Sequence, residues 1–212
     1  MESRAEQMPN QDQFAEERTL SDVISDIGWL VSSDPDSGDI YARITGLVGE
    51  LIEFDRFSIS LVDPETGSLE DIHVIDGDSP ERGIGFGHRI SGTRIGSALE
   101  GGRAVGIDGN TLDANWPGAE ELVADGLQSI LTAPVIIDGA LAGVMMMAKK
   151  DPGGFVARDI AVVGGIALLI SDLVDTECRN REAARELAEK KAVADLTRDV
   201  EHFLQASDSR IR

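Results

Sequence analysis

The most regular pattern in the sequence is a pair of apolar segments on either side of a two-residue turn. Residues 128–137 and 140–148 are rich in β-branched and other apolar side chains, and Asp138 and Gly139 stand between them. Both central residues of a type I′ turn need a positive φ, which these two residue types accept readily. The pattern therefore predicts a buried, central antiparallel β-hairpin.

Two amphipathic helices are predicted before the first strand. Apolar residues recur at three- and four-residue intervals from Thr19 to Val31, and again from Ile40 to Glu53. This spacing collects them on one face of each helix. Pro35 ends the first helix, because the residue before a proline is disfavoured in helical geometry. The two apolar faces need a common surface to cover.

That surface begins with a strand whose residues alternate between apolar and hydroxyl side chains. Residues 57–63 have the two-residue period of a β-strand, so Ser58 and Ser60 share one face of it. The other elements predicted before the hairpin are a less regular strand, a short helix and a short strand: residues 68–75, 93–99 and 104–108.

After the hairpin, the sequence from Arg158 to about Leu204 reads as one continuous helix. Gly164 and Gly165 lie inside it, and glycine costs about 1 kcal/mol relative to alanine in a helix, so we expect another helix to approach closely there. Heptad-like apolar steps at both ends are interrupted by polar residues. We predict an imperfect coiled coil over residues 178–212, as a parallel dimer in preference to a lone helix lying on the sheet.

Charge and composition limit which cellular compartment and which classes of partner the sequence predicts. The 212 residues include 39 acidic and 19 basic side chains, a net charge of −20, which disfavours contact with nucleic acid or an anionic membrane. We exclude both as partners. The longest apolar run is about half of what spans a bilayer. A single cysteine and a polar N-terminus without a signal segment predict a cytoplasmic protein, with residues 1–18 as a disordered or loosely helical arm.

In order and spacing, these features resemble the GAF family of small-molecule-sensing modules. The landmarks are the residues before the first strand, the Gly-rich middle, the hairpin and the start of the last helix: 54–56, 89–105, 126–139 and 155–159. The resemblance covers residues 19–177. It implies an α+β, PAS-related fold: a six-stranded antiparallel sheet with helices on one face, a ligand pocket under loops on the other, and a long C-terminal helix. It also implies homodimers built through the terminal helices.

Departures from known GAF subclasses leave the ligand unidentified. Bilin-binding members use a cysteine near the pocket, whereas Cys178 lies in the predicted C-terminal helix, so covalent bilin attachment is not expected. Members that reduce free methionine sulfoxide use several cysteines, and the single cysteine of this chain argues against that chemistry. The Asn-Lys-Phe-Asp-Glu signature of cyclic-nucleotide-binding members is missing. Haem ligation by His73 or His88 is an alternative with little support in the sequence.

The candidate ligand-binding residues are polar or aromatic groups near the predicted pocket. Ser58 and Ser60 point either into the pocket or to solvent. His73 is the histidine most expected to face a cavity. Arg89 can bind a carboxylate or phosphate, or pair with nearby acids, and Trp116 can close over a ligand or anchor its loop. The full set is Ser58, Ser60, His73, Phe86, Arg89, Asp108 and Trp116.

No nucleophile–base pair and no metal-ligand spacing is visible in the sequence. We therefore expect a non-catalytic small-molecule-sensing and dimerisation module in intracellular signal transduction. Ligand occupancy would pass to a C-terminal helix pair and on to a downstream signalling protein, either separate or part of a longer chain. The alternatives are a small cytoplasmic enzyme with a GAF fold and a ligand-free structural dimeriser.

Overall fold

A computed structural model describes residues 18–33, 38–76, 87, 89–90, 92–107 and 124–208. The helices are α1 (Leu20–Ser33), α2 (Ile40–Gly49), α3 (Arg94–Glu100), α4 (Ala157–Leu169) and α5 (Ser171–Asp208). The strands are β1 (Arg56–Val62), β2 (Leu69–Asp76), β3 (Val105–Ile107), β4 (Ser129–Ile137) and β5 (Ala140–Lys149). None of these helices combines the length and the apolar character needed to cross a bilayer.

The described strands form one antiparallel sheet in the order β2-β1-β5-β4-β3. The sheet has five strands within the described ranges, so the expectation of six is wrong for this part of the chain. Between β2 and α3 the described residues contribute only an isolated bridge, from Ser68 to Arg89.

The predicted hairpin is confirmed as the centre of the sheet. β4 and β5 are joined by Asp138 and Gly139, whose φ values of 50° and 81° are those of a type I′ turn. Met145, Met146 and Met147 in β5 are fully buried, and methionine is an adaptable residue that fills gaps in a core.

The two faces of the sheet are covered by different elements. One face, which we call the helical face, carries Phe57, Ile59 and Met145 and packs against α1, α2, α4 and the first turns of α5. The other, which we call the α3 face, carries Val144 and Met146 and packs against α3. Both faces are therefore buried, and the core lies on both sides of the sheet.

The C-terminal region is two helices rather than the one predicted. α4 ends at Leu169, and α5 begins at Ser171. Ile170 between them is fully buried, with φ −88° and ψ 2°. The Ser171 hydroxyl donates to the Leu168 carbonyl over 2.9 Å, and such local bonds compete with helix continuation. Leu173 in α5 also belongs to the core of the helical face.

Candidate functional site

Ser58 and Ser60 lie on the α3 face of β1. Their cross-strand partners on β5 are Met146 and Val144, which belong to the core of that face. Both serine side chains are fully buried. The sequence left open whether these side chains point into a pocket or to solvent, and their burial rules out solvent. The strand alternation that predicted a shared face for the two hydroxyls is confirmed.

A carboxylate meets the Ser60 hydroxyl from the neighbouring strand. Asp71 on β2 is the register partner of Ser60, and its Oδ1 accepts a hydrogen bond from Ser60 Oγ over 2.7 Å. A hydrogen bond to a carboxylate is stronger than one between neutral groups. The pair gives the α3 face a fixed acceptor group beside the buried hydroxyls.

An ion pair ties the loop before β4 to the same strand. Arg56 lies two residues before Ser58, on the same face of β1, and its side chain is only 7% exposed. Its Nη2 is 2.9 Å from Asp125 Oδ2. Asp125 precedes Gly126, whose φ of 76° turns the chain into β4. The positive charge of Arg56 is therefore balanced where it enters the core.

Thr132 on β4 adds a third buried hydroxyl, and sequence reasoning missed it. It is fully buried and lies opposite Met146, which in turn lies opposite Ser58. Its Oγ1 donates to the carbonyl of Val105 on β3 over 3.3 Å. The signal available in the sequence was a lone hydroxyl residue inside the apolar run of the hairpin. Asp71 and Arg56 were also missed, because their partners are distant in sequence.

His73 does not lie beside these residues, which corrects the expectation that it faces the pocket. A bulge in β2 at Ile72 shifts the pairing between β1 and β2, and a bulge re-aims the side chains beyond it. His73 consequently points into the helical face. One ring nitrogen is 3.0 Å from Thr45 Oγ1 on α2, and its ring stacks on Tyr41. Burial lowers the pKa of His73, so the ring is neutral at physiological pH.

Arg89 is exposed and lies at the turn end of the β1–β2 hairpin. It bridges to Ser68, and the Ile90 N–H donates to the Gly67 carbonyl over 3.1 Å. Ser58 and Ser60 lie deeper along β1 and are buried, so the arginine does not join them in the core. The remaining candidates lie outside the described residues and stay predictions: Phe86, His88, Asp108 and Trp116.

The described residues also form a groove between α1 and α2, away from the sheet. Its volume is about 450 Å³, and Trp29, 63% exposed, lies at its edge. Arg18 pairs there with Asp26 and with Glu50, the latter over 2.8 Å. The charges at the rim of this groove therefore pair with one another.

The described polar residues of the α3 face are hydrogen-bonding groups. Ser60 has a carboxylate partner, but the half-buried His73 lies on the opposite face of the sheet. In the described parts of the chain, no three His, Cys, Asp or Glu residues are grouped to hold a metal ion. Cys178 on α5 packs against the helical face. Burial raises the pKa of its thiol, and the negative charge of Asp175 adds a smaller effect in the same direction. A raised pKa makes a thiol a poor nucleophile at neutral pH.

The decisive comparison is with protein families. The GAF domain model matches residues 36–173, which is more than half of the chain. The chain belongs to the GAF domain family. GAF domains are sensory and regulatory modules of signalling proteins, so the resemblance expected from the sequence is confirmed. A comparison with curated proteins finds no match.

Solved structures give the same fold at low sequence identity. The phycocyanobilin-bound GAF domain of a cyanobacterial phytochrome aligns with a TM-score of 0.59 and 18% identity, over 74% of this chain and 96% of that one. The GAF domain of a Bacillus halodurans two-component sensor histidine kinase aligns with a TM-score of 0.55 and 21% identity, over 66% and 95%. Free methionine-R-sulfoxide reductase from Neisseria meningitidis aligns with a TM-score of 0.57 and 16% identity, over 76% and 91%. At these identities the likeness is one of fold.

Proposed function

We propose that this GAF domain is a non-catalytic sensor that binds a small molecule on the α3 face and passes its occupancy to α5. The observation that carries the proposal is the partly buried Ser60–Asp71 hydrogen bond, 2.7 Å long, next to the buried hydroxyl of Ser58. A buried polar group is tolerated when hydrogen-bonded, and a few polar groups on an otherwise apolar surface are typical of ligand sites. In this proposal the chain is not an enzyme.

The chemistry of the α3 face indicates the class of ligand. Asp71 offers a carboxylate acceptor, and the charge of Arg56 is balanced by Asp125. Met146 and Val144 are fully buried beside the hydroxyls, so the polar groups lie in apolar surroundings. The ligand that fits is a small molecule with a hydrogen-bond donor, such as an amine or hydroxyl group, on an apolar body.

The β1–β2 hairpin provides a physical route from this face to α5. Glu70 is the neighbour of Asp71 on β2 and points to the other face, where it forms an ion pair with Arg181 of α5. Arg185, one turn further along, is 3.4 Å from Asp63 at the end of β1. Movement of Asp71 on ligand binding would therefore move the contacts that hold the first turns of α5. A ligand shifts this equilibrium only by its differential affinity for the two positions.

The distal part of α5 is the proposed output element. Residues 186–199 are exposed throughout, and the apolar side chains of Leu187, Val193 and Leu196 are each 65% exposed or more. Exposed apolar residues along one helix favour a protein partner. We propose a downstream signalling protein as that partner, and a homodimer formed through the terminal helices.

Native mass spectrometry of the freshly purified chain tests the sensing proposal. We expect an additional small-molecule mass on the wild type that is lost in Asp71→Asn and kept in Glu70→Gln. The two substitutions are a matched pair, because each removes the charge of one carboxylate on β2. Asp71 lies on the α3 face, and the adjacent Glu70 lies on the helical face. A bare protein in every case would instead favour the ligand-free structural dimeriser. Turnover of the retained molecule would favour the enzyme.

A further inference from the structure

His73 joins β2 to α2 through a hydrogen bond whose direction the structure fixes. The Thr45 hydroxyl donates to the Tyr41 carbonyl over 2.8 Å, and a hydroxyl has only one hydrogen to donate. The Thr45 oxygen is also 3.0 Å from Nε2 of His73, so it can only accept there. The neutral imidazole therefore carries its hydrogen on Nε2, and Nδ1 has none.

The surroundings of the His73 ring suit this neutral form. The ring stacks on Tyr41 with 6.0 Å between centroids and meets Phe57 edge-on at 6.2 Å. The groups that face it from β1 and α2 carry no charge: Phe57, Ile59, Tyr41 and Thr45. Within the described residues, Nδ1 has no hydrogen-bond partner. A proton on Nδ1 would add a charge and an unsatisfied donor in these surroundings, which is costly.

Tyr41 also lies beside the first turns of α5. Burial, and then the negative charge of Glu177, raise the pKa of Tyr41 to about 12, and the positive charge of Arg181 opposes them. Tyr41 and Cys178 both pack against the core of the helical face. Arg181 pairs with Glu177 and with Glu70 of β2, so each of these charges has a partner. Tyr41 therefore links the His73 ring to α5.

We propose that His73 is a proton sensor for α5: when its ring takes up a proton, the ring leaves Tyr41 and the first turns of α5 loosen. His73 is half-buried, so a change of side-chain rotamer brings the charged ring into water. That movement breaks the hydrogen bond to Thr45 and the stack on Tyr41. The packing of Tyr41 beside α5 then loses its support. Burial lowers the pKa of His73 from 6.5, so this change belongs to acidic conditions.

The inference goes beyond the proposed ligand sensing, because it needs neither Asp71 nor a bound molecule. Protein unfolded and refolded free of small molecules should give the same response to acid. A failure of this inference therefore leaves the ligand proposal standing, and a protein that binds no ligand leaves this inference standing.

Amide hydrogen exchange at pH 7.5 and pH 5.5 measures how firmly α5 is held. His73→Gln keeps an N–H donor for Thr45 but takes up no proton, so it is the control at each pH. At pH 5.5 we expect residues 173–181 to exchange about threefold faster or more in the wild type than in His73→Gln. At pH 7.5 the two proteins should exchange equally, and β4 should not differ at either pH. Equal exchange of residues 173–181 at pH 5.5 would overturn the inference.

Thr45→Val tests the same contact without changing the histidine. Valine has the shape of threonine but cannot accept the Nε2 hydrogen, so residues 173–181 should exchange faster already at pH 7.5. Thr197→Val is the matched control on distal α5, because the Thr197 hydroxyl also donates to the carbonyl four residues before it, over 2.9 Å. Faster exchange in both variants, or in neither, would contradict a role for the contact between Thr45 and His73.

An NMR titration shows whether proton uptake and loosening are one event. With His88→Gln and His202→Gln, His73 is the only histidine of the chain, so its ring carbons report its own protonation. We expect the amide signals of residues 173–181 to shift with the same midpoint as the ring, below pH 6.5. A ring that titrates while those amide signals stay fixed would overturn the inference.

Discussion

The Ser60 hydroxyl donates a hydrogen bond to the Asp71 carboxylate over 2.7 Å. Successive residues of a strand point to opposite faces, so Glu70, the next residue, reaches the other side of the sheet and pairs with Arg181 of α5. Two adjacent residues of β2 therefore connect the proposed ligand face with the proposed output helix.

Removing the Ser60 hydroxyl should destabilise the fold. Ser60→Ala leaves a partly buried carboxylate without one of its donors, which costs about 1–3 kcal/mol. Urea unfolding measures this free energy. Ser25→Ala is the control, because the exposed Ser25 hydroxyl bonds only to the carbonyl of Ser21 in its own helix. Equal losses of unfolding free energy in the two variants would show that the Ser60–Asp71 hydrogen bond stabilises the fold no more than an exposed hydrogen bond within a helix.

Gly143 should not tolerate a side chain. A Cβ at this position of β5 would lie 2.9 Å from the Ser60 carbonyl oxygen and 3.2 Å from Val174 of α5. Gly143→Ala would force the backbone of β1 or the first turns of α5 to shift, which should lower the free energy of unfolding by about 1–3 kcal/mol. Gly46→Ala in α2 meets nothing within 4 Å and should stabilise the fold slightly. Thermal unfolding of both variants compares them, and a stabilising effect at Gly143 would be contrary to the close contact.

The buried imidazole of His73 should make stability depend on pH. Burial lowers its pKa below the ordinary value of 6.5, so the unfolded chain binds a proton more readily than the folded one. The stabilising contribution is complete above pH 6.5 and is lost as the pH falls through the lower folded pKa. His73→Gln should remove this part of the slope. If urea unfolding between pH 7 and 5 showed equal slopes for wild type and variant, the assignment to His73 would be wrong.

The ion pairs between α5 and the β1–β2 hairpin should hold the start of α5. Arg181 is 29% exposed and Glu70 48% exposed, so solvent screening limits the stabilisation to about 1 kcal/mol or less. Arg181→Ala should nevertheless speed amide hydrogen exchange in residues 173–185. Arg198→Ala, which breaks an exposed pair with Asp195 at 3.0 Å, is the control and should leave that segment unchanged. Similar exchange in both variants would argue against the hairpin contact.

Local patterns predicted the elements whose causes are local. The Asp138–Gly139 turn needs only the conformational preferences of its two residues, and the alternation in β1 was enough to put Ser58 and Ser60 on one face. These features required no knowledge of which strands are neighbours.

Features that depend on strand register or on packing were not predictable in the same way. One extra residue at Ile72 moved His73 to the helical face, because a shift of one residue reverses the direction of every later side chain. The break at Ile170 has no clear signal in the sequence, since Leu169 and Ser171 are both acceptable in a helix. The Ser60–Asp71 and Arg56–Asp125 contacts join residues that are far apart in sequence.

The central claim is that occupancy of the α3 face changes how firmly α5 is held. It is tested most directly by amide hydrogen exchange in residues 171–185, comparing protein as purified with protein unfolded and refolded free of small molecules. We predict slower exchange in the as-purified wild type, and no difference between the two preparations of Asp71→Asn. Identical exchange in both wild-type preparations, with a bound small molecule demonstrated in the first, would contradict the claim.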